Sequence, residues 1–353
     1  MDKLDLRSYT KEELIDFFLS IGEKKFRAEQ FFSWLSSGKA VSEMTNLSLS
    51  LREKIEGVML ETLPKIEEKL VSKIDGTVKY LFRLYDGSLI ESVLMKYKHG
   101  NTLCISTQVG CRMGCRFCAS TIGGKVRDLL PSEMLGEIIV AACESGERVS
   151  NVVMMGIGEP LDNFDNVLRF LTIVNQEGGL NIGYRHISLS TSGLAPEIKR
   201  LADLALPITL SISLHAATDE KRSSLMPVNR KYNLASLMDA CRYYYLKTGR
   251  RISFEYTLIS GQNDTDADAL EIASLLKGAF KNTDAPLHVN LIRVNEVKER
   301  DFKAGSTEGA HKFAKRLESL GIVATVRRRL GKDINGACGQ LRQSKITNGE
   351  NND

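Results

Sequence analysis

From about residue 102 onward the chain alternates short β-rich apolar runs with longer stretches in which apolar residues recur at helical spacing. The runs predict strands near 102–108, 151–155, 185–191, 208–214, 251–258, 287–292 and 322–328. Between them the pattern predicts helices near 132–145, 163–177, 196–205, 233–247, 266–280 and 308–320. Six strand-helix units and a closing strand imply an α/β fold of parallel strands with helical crossovers, either an open doubly wound sheet or a barrel of six units in place of eight. The polar residues favour the partial (β/α)6 barrel, because barrel chemistry gathers at the C-terminal strand ends. Those ends hold a cysteine-rich loop, Gly156-Ile157-Gly158-Glu159-Pro160, Ser190-Thr191-Ser192-Gly193, Ser213-Leu214-His215 and the run from Asn290 to Asn295.

Upstream the period changes twice. Residues 1–60 predict short helices, one capped by Thr10 with Glu13 as its capping-box partner. A second spans about Lys24 to Ser36, with Phe26, Phe31, Phe32, Trp34 and Leu35 as its apolar face. Lys24, Lys25 and Arg27 crowd the end of that helix where the dipole disfavours cations. Contact with a phosphate backbone explains them, and so does a solvated basic turn. Residues 65–96 predict a three-stranded meander turning at Asp75-Gly76 and Asp86-Gly87, since Asp-Gly between β-rich runs marks a hairpin. Its third strand carries Glu91 among Leu89, Ile90, Val93 and Leu94, and alternation alone puts that carboxylate on the solvent face. The expected organisation is a helical module at 1–60, a β-meander extension at 61–96, a core at 97–343 and a disordered polar tail at 344–353.

Composition narrows the class. At 353 residues and 42% hydrophobic content the chain can bury a sizeable core. Its start lacks the charged and then apolar segments of a signal peptide, and no apolar stretch approaches the roughly 20 residues that span a bilayer. The expectation is a cytoplasmic protein with no membrane partner. Seven cysteines, three of them crowded together, fit a reducing compartment better than a disulfide framework. The net charge of +4 is unevenly placed. Residues 1–60 carry 9 basic against 10 acidic side chains, 61–96 carry 6 against 6, and 97–345 carry 33 against 26. The excess, with Arg327, Arg328 and Arg329 as its densest run, suits a polyanionic substrate, although a solvated surface shows a similar balance.

The chemistry centres on Cys111-Arg112-Met113-Gly114-Cys115-Arg116-Phe117-Cys118. Three thiolates so close can ligate three corners of a cubic iron-sulfur cluster and leave the fourth iron open, and soft thiolates suit such clusters and zinc. Gly110 and Gly114 supply the backbone freedom to curl around an inorganic core. A zinc site that borrows Cys104 competes, as do unligated thiols, but a structural zinc knuckle usually draws its ligands from two short pairs. Gly156 and Gly158 would let backbone approach a ligand, and Glu159 offers an acceptor to an ammonium group. Taken singly, His215 reads as a core or rim histidine and Cys338, flanked by Gly336 and Gly339, as an incidental thiol.

The spacing CxxxCxxC with an aromatic residue before the last cysteine resembles the radical S-adenosylmethionine (SAM) enzymes. A wider set of motifs resembles the RlmN/Cfr family of radical SAM RNA adenine methyltransferases over almost the whole chain. The set runs from Phe26-Arg27-Ala28-Glu29-Gln30 and Met44-Thr45-Asn46-Leu47-Ser48, through Leu225-Met226-Pro227-Val228-Asn229, to Ala337-Cys338-Gly339-Gln340-Leu341. That resemblance implies one 4Fe-4S cluster on Cys111, Cys115 and Cys118, and two SAM per cycle held by Gly158, Glu159, Ser190, Ser213, Leu214, His215 and Asn295. It also implies Cys338 as an S-methylcysteine intermediate, Glu91 as proton acceptor, and Cys104 as a resolving thiol in a transient disulfide with Cys338. The implied partners are 23S rRNA, tRNA and an electron donor such as flavodoxin. Val109 and the Cys111-to-Cys115 stretch look more like enzymes acting on adenine C2 than like those of the Cfr type acting on C8. A different radical SAM RNA-modifying enzyme and a non-catalytic iron-sulfur or zinc RNA-binding protein are the other readings.

Overall fold

The structure, a computed structural model, describes residues 3–295, 300–334 and 341–342. Cys338 and the expected tail at 344–353 lie outside the described residues. The N-terminal module is α1 (Lys11–Ser20), α2 (Lys25–Leu35) and α3 (Leu49–Val58). The capping box forms, with the Thr10 N–H on Glu13 Oε2 at 2.8 Å and the Glu13 N–H on Thr10 Oγ1 at 3.3 Å. The apolar face of α2 is narrower than expected. Ala28, Phe31, Phe32 and Leu35 are buried, at helical spacing, whereas Phe26 is 45% exposed and Trp34 sends its indole N–H to Asn46.

Next comes the antiparallel meander β1 (Lys65–Val71), β2 (Val78–Arg83) and β3 (Leu89–Tyr97), which turns at the two expected Asp-Gly pairs. Strand β4 (Gly100–Cys104) pairs antiparallel with β3, and a small hairpin of β5 (Gln108–Gly110) and β6 (Lys125–Asp128) follows. The barrel repeats then run α4 (Pro131–Ser145), β7 (Val149–Met154), α5 (Phe164–Asn175), β8 (Ile187–Thr191), α6 (Ala195–Asp203) and β9 (Thr209–Ser213). They continue through α7 (Asp219–Leu225), α8 (Leu234–Thr248), β10 (Ile252–Leu258), α9 (Asp266–Ala279), β11 (His288–Arg293), α10 (Thr307–Ser319) and β12 (Val323–Val326). One ten-stranded sheet results, in the order β1-β2-β3-β4-β7-β8-β9-β10-β11-β12, parallel from β4 onward. The first barrel strand stops at Cys104, short of the expected 108. Beyond it the N–H groups of Thr107 and Gln108 turn to the Ile157 carbonyl in the glycine loop, at 2.8 and 3.2 Å, so pairing passes from strand to loop.

Strand alternation gives the sheet two unlike faces. Leu103, Val152, Leu189, Ile212, Phe254 and Val289 join the core beneath the helices. The opposite, concave face carries Lys79, Glu91, Cys104, Asn151, Ser188, Ser190, Ser213, Glu255 and Asn290, alternate positions on the same strands. A segment beyond β12 crosses back over the open edge. Arg327 Nη1 lies 3.9 Å from Met155 Sδ beyond β7, and the Gly331 N–H donates to Asp75 at 2.9 Å. Asp333 accepts from Ser72 Oγ at 2.7 Å and from the Lys73 N–H at 2.9 Å, which encloses the concave face as a lumen. Among the described residues no helix is long and apolar enough to cross a membrane.

Candidate active site

The cysteine loop springs from the β5–β6 hairpin. Gly110 takes φ +76°, and a Cβ there would lie 1.9 Å from the Gly124 carbonyl oxygen, which itself accepts the Cys111 N–H at 3.0 Å. Only glycine fits that crossing. Thr121 Oγ1 donates to the carbonyls of Cys115 and Cys118, at 3.1 and 2.9 Å, and so closes the far side of the loop. Asp162 braces the near side, accepting from Arg112, from Gln108 Nε2 at 2.9 Å and from Lys125 Nζ at 3.0 Å.

Cys111 and Cys115 are buried and Cys118 is half-buried. Burial pushes the Cys111 thiol up to about 12 and the Cys115 thiol well up, and in each case the neighbouring cysteines push further. Cys118 raises both Cys111 and Cys115, and Cys111 raises Cys115, so the three are near neighbours, and a cationic iron core would reverse that preference by holding them as thiolates. Among the described residues no three His, Cys, Asp or Glu side chains converge on a single ion. A cubane needs another arrangement, one thiolate for each of three iron corners. Cys104, the fourth ligand that a zinc site would need, packs with Val93 and Met95, whereas Cys115 packs with Ala216, Leu225 and Met226. The donor set fits a cluster.

Around the loop stand the ends of β7, β8 and β9. Gly158 adopts φ +112°, and a Cβ there would meet Gln108 N at 2.7 Å and Thr107 Oγ1 at 2.8 Å. The Thr107 hydroxyl is buried with no hydrogen-bond partner among the described residues. Ser190 and Ser213 stand half-buried on the concave face. Asn295 is half-buried just beyond β11. A glycine cradle and unsatisfied hydroxyls beside three thiols fit a polar ligand such as SAM. Two of the expected contact residues also brace the strand ends. Glu159 is buried, and its carboxylate accepts the N–H groups of Leu161 at 3.1 Å and Ser192 at 2.6 Å, so it braces the loop after β7 against the end of β8. Leu214 is buried, with its N–H on the Glu255 carbonyl and its own carbonyl taken by Arg222.

His215 carries more information than its sequence position suggested. Its backbone is left-handed, φ +56°, and its Nδ1 accepts the Thr257 N–H at 2.9 Å, which leaves the proton on Nε2. Burial lowers its pKa to about 3, so the ring is neutral. It meets the Phe117 ring edge-on with centroids 4.8 Å apart, placing a neutral N–H donor beside the cysteine loop. Sequence reasoning missed Arg222. Fully buried, it donates to the carbonyls of Ser192 at 2.6 Å, Ser213 at 3.0 Å and Leu214 at 3.1 Å, and to Asn229 Oδ1 at 2.8 Å. Burial lowers it to about 10, which leaves a fixed cation that favours the thiolate of Cys115. Its signal was Arg222 followed seven residues later by Asn229 in the Met226-Pro227-Val228-Asn229 stretch.

A second group lies across β2, β3 and β4. Register sets Lys79 opposite Val93 and Val93 opposite Cys104, while Glu91 faces Leu81. Glu91 is therefore the diagonal neighbour of both Lys79 and Cys104 on the concave face, where such pairs lie about 7–8 Å apart. The sequence reading of Glu91 as a solvent-face residue fails. Glu91 and Lys79 are both fully buried and form a 3.0 Å ion pair, because the crossing segment covers this side of the meander. The Arg342 N–H donates to Glu91 Oε1, and Arg342 Nε donates to the Leu89 carbonyl at 2.9 Å. Ser106 joins the two groups, its Oγ donating to the Glu91 carbonyl at 2.7 Å and accepting the Ile157 N–H at 3.1 Å. No disulfide joins two described cysteines.

Comparison with known proteins follows this geometry. The model of the radical SAM superfamily matches residues 105–273, and that of the ribosomal RNA large subunit methyltransferase N-terminal domain matches residues 4–60. The chain is 55% identical over 349 residues to a probable dual-specificity RNA methyltransferase RlmN of Alkaliphilus oremlandii, covering 99% of this chain and 100% of that protein. A protein of the same description from Clostridium botulinum is 53% identical over 97% of each chain. A solved radical SAM methyltransferase from Sphaerobacter thermophilus superposes with a TM-score of 0.90 at 41% identity, covering 96% of this chain and 98% of that one.

Proposed function

The chain belongs to the RlmN family of radical SAM methyltransferases, and from that premise we propose that it methylates C2 of adenosine in 23S rRNA and tRNA through an S-methylcysteine on Cys338. The cluster is assigned to Cys111, Cys115 and Cys118, and two SAM are consumed per cycle, with Gly158, Glu159, Ser190, Ser213, Leu214, His215 and Asn295 as contacts. Glu159 and Leu214 also hold the strand ends in place. When bound, cluster and SAM supply a 5'-deoxyadenosyl radical and the methyl group.

One observation carries the reading: Glu91 and Cys104 are neighbours on the concave face, and the described residues on either side of the stretch that contains Cys338 are both held to the same meander. Asp333 is pinned to Ser72 and Lys73, and Arg342 to Glu91 and Leu89. Arg342 lies four positions after Cys338, and such a tether reaches at most about 14 Å. Cys338 carries the methyl carbon to the adenine. Glu91, 3.0 Å from Lys79, takes the C2 proton once that carbon is sp3, when a carboxylate is a strong enough base. Cys104, as thiolate, then attacks the Cys338 sulfur: the S–S bond of the transient disulfide forms, the bond from Cys338 sulfur to the methylene carbon breaks, and that carbon keeps the electron pair and takes up a proton as the new methyl group of the base. The exposed Lys24, Lys25 and Phe26 are proposed to hold RNA in the cytoplasm, and a flavodoxin-like donor supplies electrons.

Cys104→Ala tests this cycle. The variant is expected to start the reaction and stall as a covalent protein-RNA adduct, visible on a denaturing gel and lost when Cys338→Ala is added. Free methylated RNA at the wild-type rate with no adduct would rule out the resolving role. Mass spectrometry of nucleosides from the wild-type product separates 2-methyladenosine from the 8-methyladenosine of a Cfr-type reaction.

A further inference from the structure

A cavity of about 260 Å³ opens on the concave face one row below Cys104, outside every group assigned so far. In the sheet, Met95 pairs with Thr102 and Thr102 with Asn151, while Val93 pairs with Cys104 and Cys104 with Val153. The cavity lines the first row and reaches Val153 in the second, so it begins two residues from Cys104, about 7 Å along the strand.

Its chemistry is one-sided. Tyr97, His99, Arg185, His186 and Arg327 surround it, and no carboxylate is among its lining residues. Tyr97 and His99 stack with ring centroids 5.1 Å apart and planes 16° from parallel, and both retain solvent exposure. Arg185 is exposed and makes no hydrogen bond or ion pair among the described residues. The amide nitrogen of Asn151, buried beside the cavity, has no hydrogen-bond partner among them either. Guanidinium groups suit phosphate, an aromatic pair suits the face of a base, and an unpaired amide donor suits a base edge.

We propose that this cavity seats one unstacked nucleotide of the RNA, the immediate neighbour of the reacting adenosine, with its base on the Tyr97–His99 pair and its phosphate on Arg185 and Arg327. The proposal rests on the RNA reading above and adds a subsite to it. A duplex cannot enter a space of this size, so the RNA must be splayed here as well as at the target base.

The probe is a synthetic RNA stem-loop with a single-stranded adenosine in its loop, made also with an abasic residue on its 5' side or on its 3' side. Binding is measured by fluorescence anisotropy for wild type, Tyr97→Ala and Arg185→Ala. Iron content and RNA-independent SAM cleavage serve as controls and should stay at wild-type levels, since neither side chain touches the cysteine loop. Loss of a stacked base costs about tenfold in affinity. Tyr97→Ala should weaken binding about tenfold, and the abasic residue should do the same on one flank. The two changes together should cost no more than either alone. Arg185→Ala should lower the slope of log affinity against log salt by about one. Multiplicative losses on both flanks with an unchanged salt slope would overturn the proposal. Should wild type bind with this coupling yet leave the adenosine unmethylated, the methylation reading fails and the seat stands; if it methylates with no coupling on either flank, the seat alone fails.

Discussion

Glu91 and Lys79 have no exposed surface and stand 3.0 Å apart, so each supplies the other with a buried opposite charge. Removing one partner of such a pair leaves an uncompensated buried ion, at a cost of about 3–5 kcal/mol. Lys79→Met should therefore lower the unfolding free energy measured by denaturant titration by an amount of that order. Lys79→Met with Glu91→Gln should recover much of the stability and none of the activity. Equal stability of wild type and the single variant at neutral pH would contradict the pairing. Little of this was legible beforehand. Strand alternation put Glu91 on the face away from the helices, which is right, but a face open to water and a lumen covered by a distant segment have the same period. The cysteine loop was legible because its chemistry is local: spacing and glycines state it without tertiary contacts. Arg222 and Lys79 were not, since a buried cation declares itself only through the carbonyls or carboxylate folded around it.

The elements follow the same division. Long amphipathic helices and apolar strands emerged close to their expected bounds because their periodicity is repeated over many residues. The β5–β6 hairpin and α7 did not, being three, four and seven residues long and fixed by contacts made elsewhere. The segment that crosses the lumen is the clearest case. Asp75 was legible only as a turn residue, yet its carboxylate also accepts the Gly331 N–H, and Asp333 holds Ser72 and Lys73 in return. These contacts hold one end of the segment that carries Cys338. Asp333→Ala should loosen that end without touching the cysteine loop. The expected result is methylation of Cys338 slowed severalfold by peptide mass spectrometry, with iron content and reductive SAM cleavage unchanged. A parallel loss of SAM cleavage would show instead that the crossing segment supports the cluster.

At the scale of the whole molecule, the change of period near residue 60 marks a boundary in pattern but not in packing. Leu6, Phe31, Phe32, Leu51 and Met59 belong to the same apolar cluster as Ile139, Phe170, Leu189 and Phe254. Buried polar contacts reinforce the seam. The Ser132 N–H donates to Ser8 Oγ at 2.9 Å, Ser132 Oγ donates to Asp5 at 2.7 Å, and the Lys11 N–H donates to Gln176 at 3.0 Å. Arg7, drawn below its ordinary pKa by burial, gives its guanidinium to the Leu35 carbonyl at 2.5 Å within the module. Helical patterning shows which face of a helix is apolar but not what covers it, so the shared core was invisible in the sequence. It has a thermodynamic consequence. A module with its own core would melt separately, whereas one that borrows the core of the barrel must melt with it. Calorimetry of the metal-free protein, chosen because a bound cluster breaks two-state behaviour, should give a single transition with calorimetric and van't Hoff enthalpies in agreement. Two resolved transitions, the smaller matching about 60 residues of enthalpy, would show that the helices dock as an independent body and that the seam is an interface between two folded units.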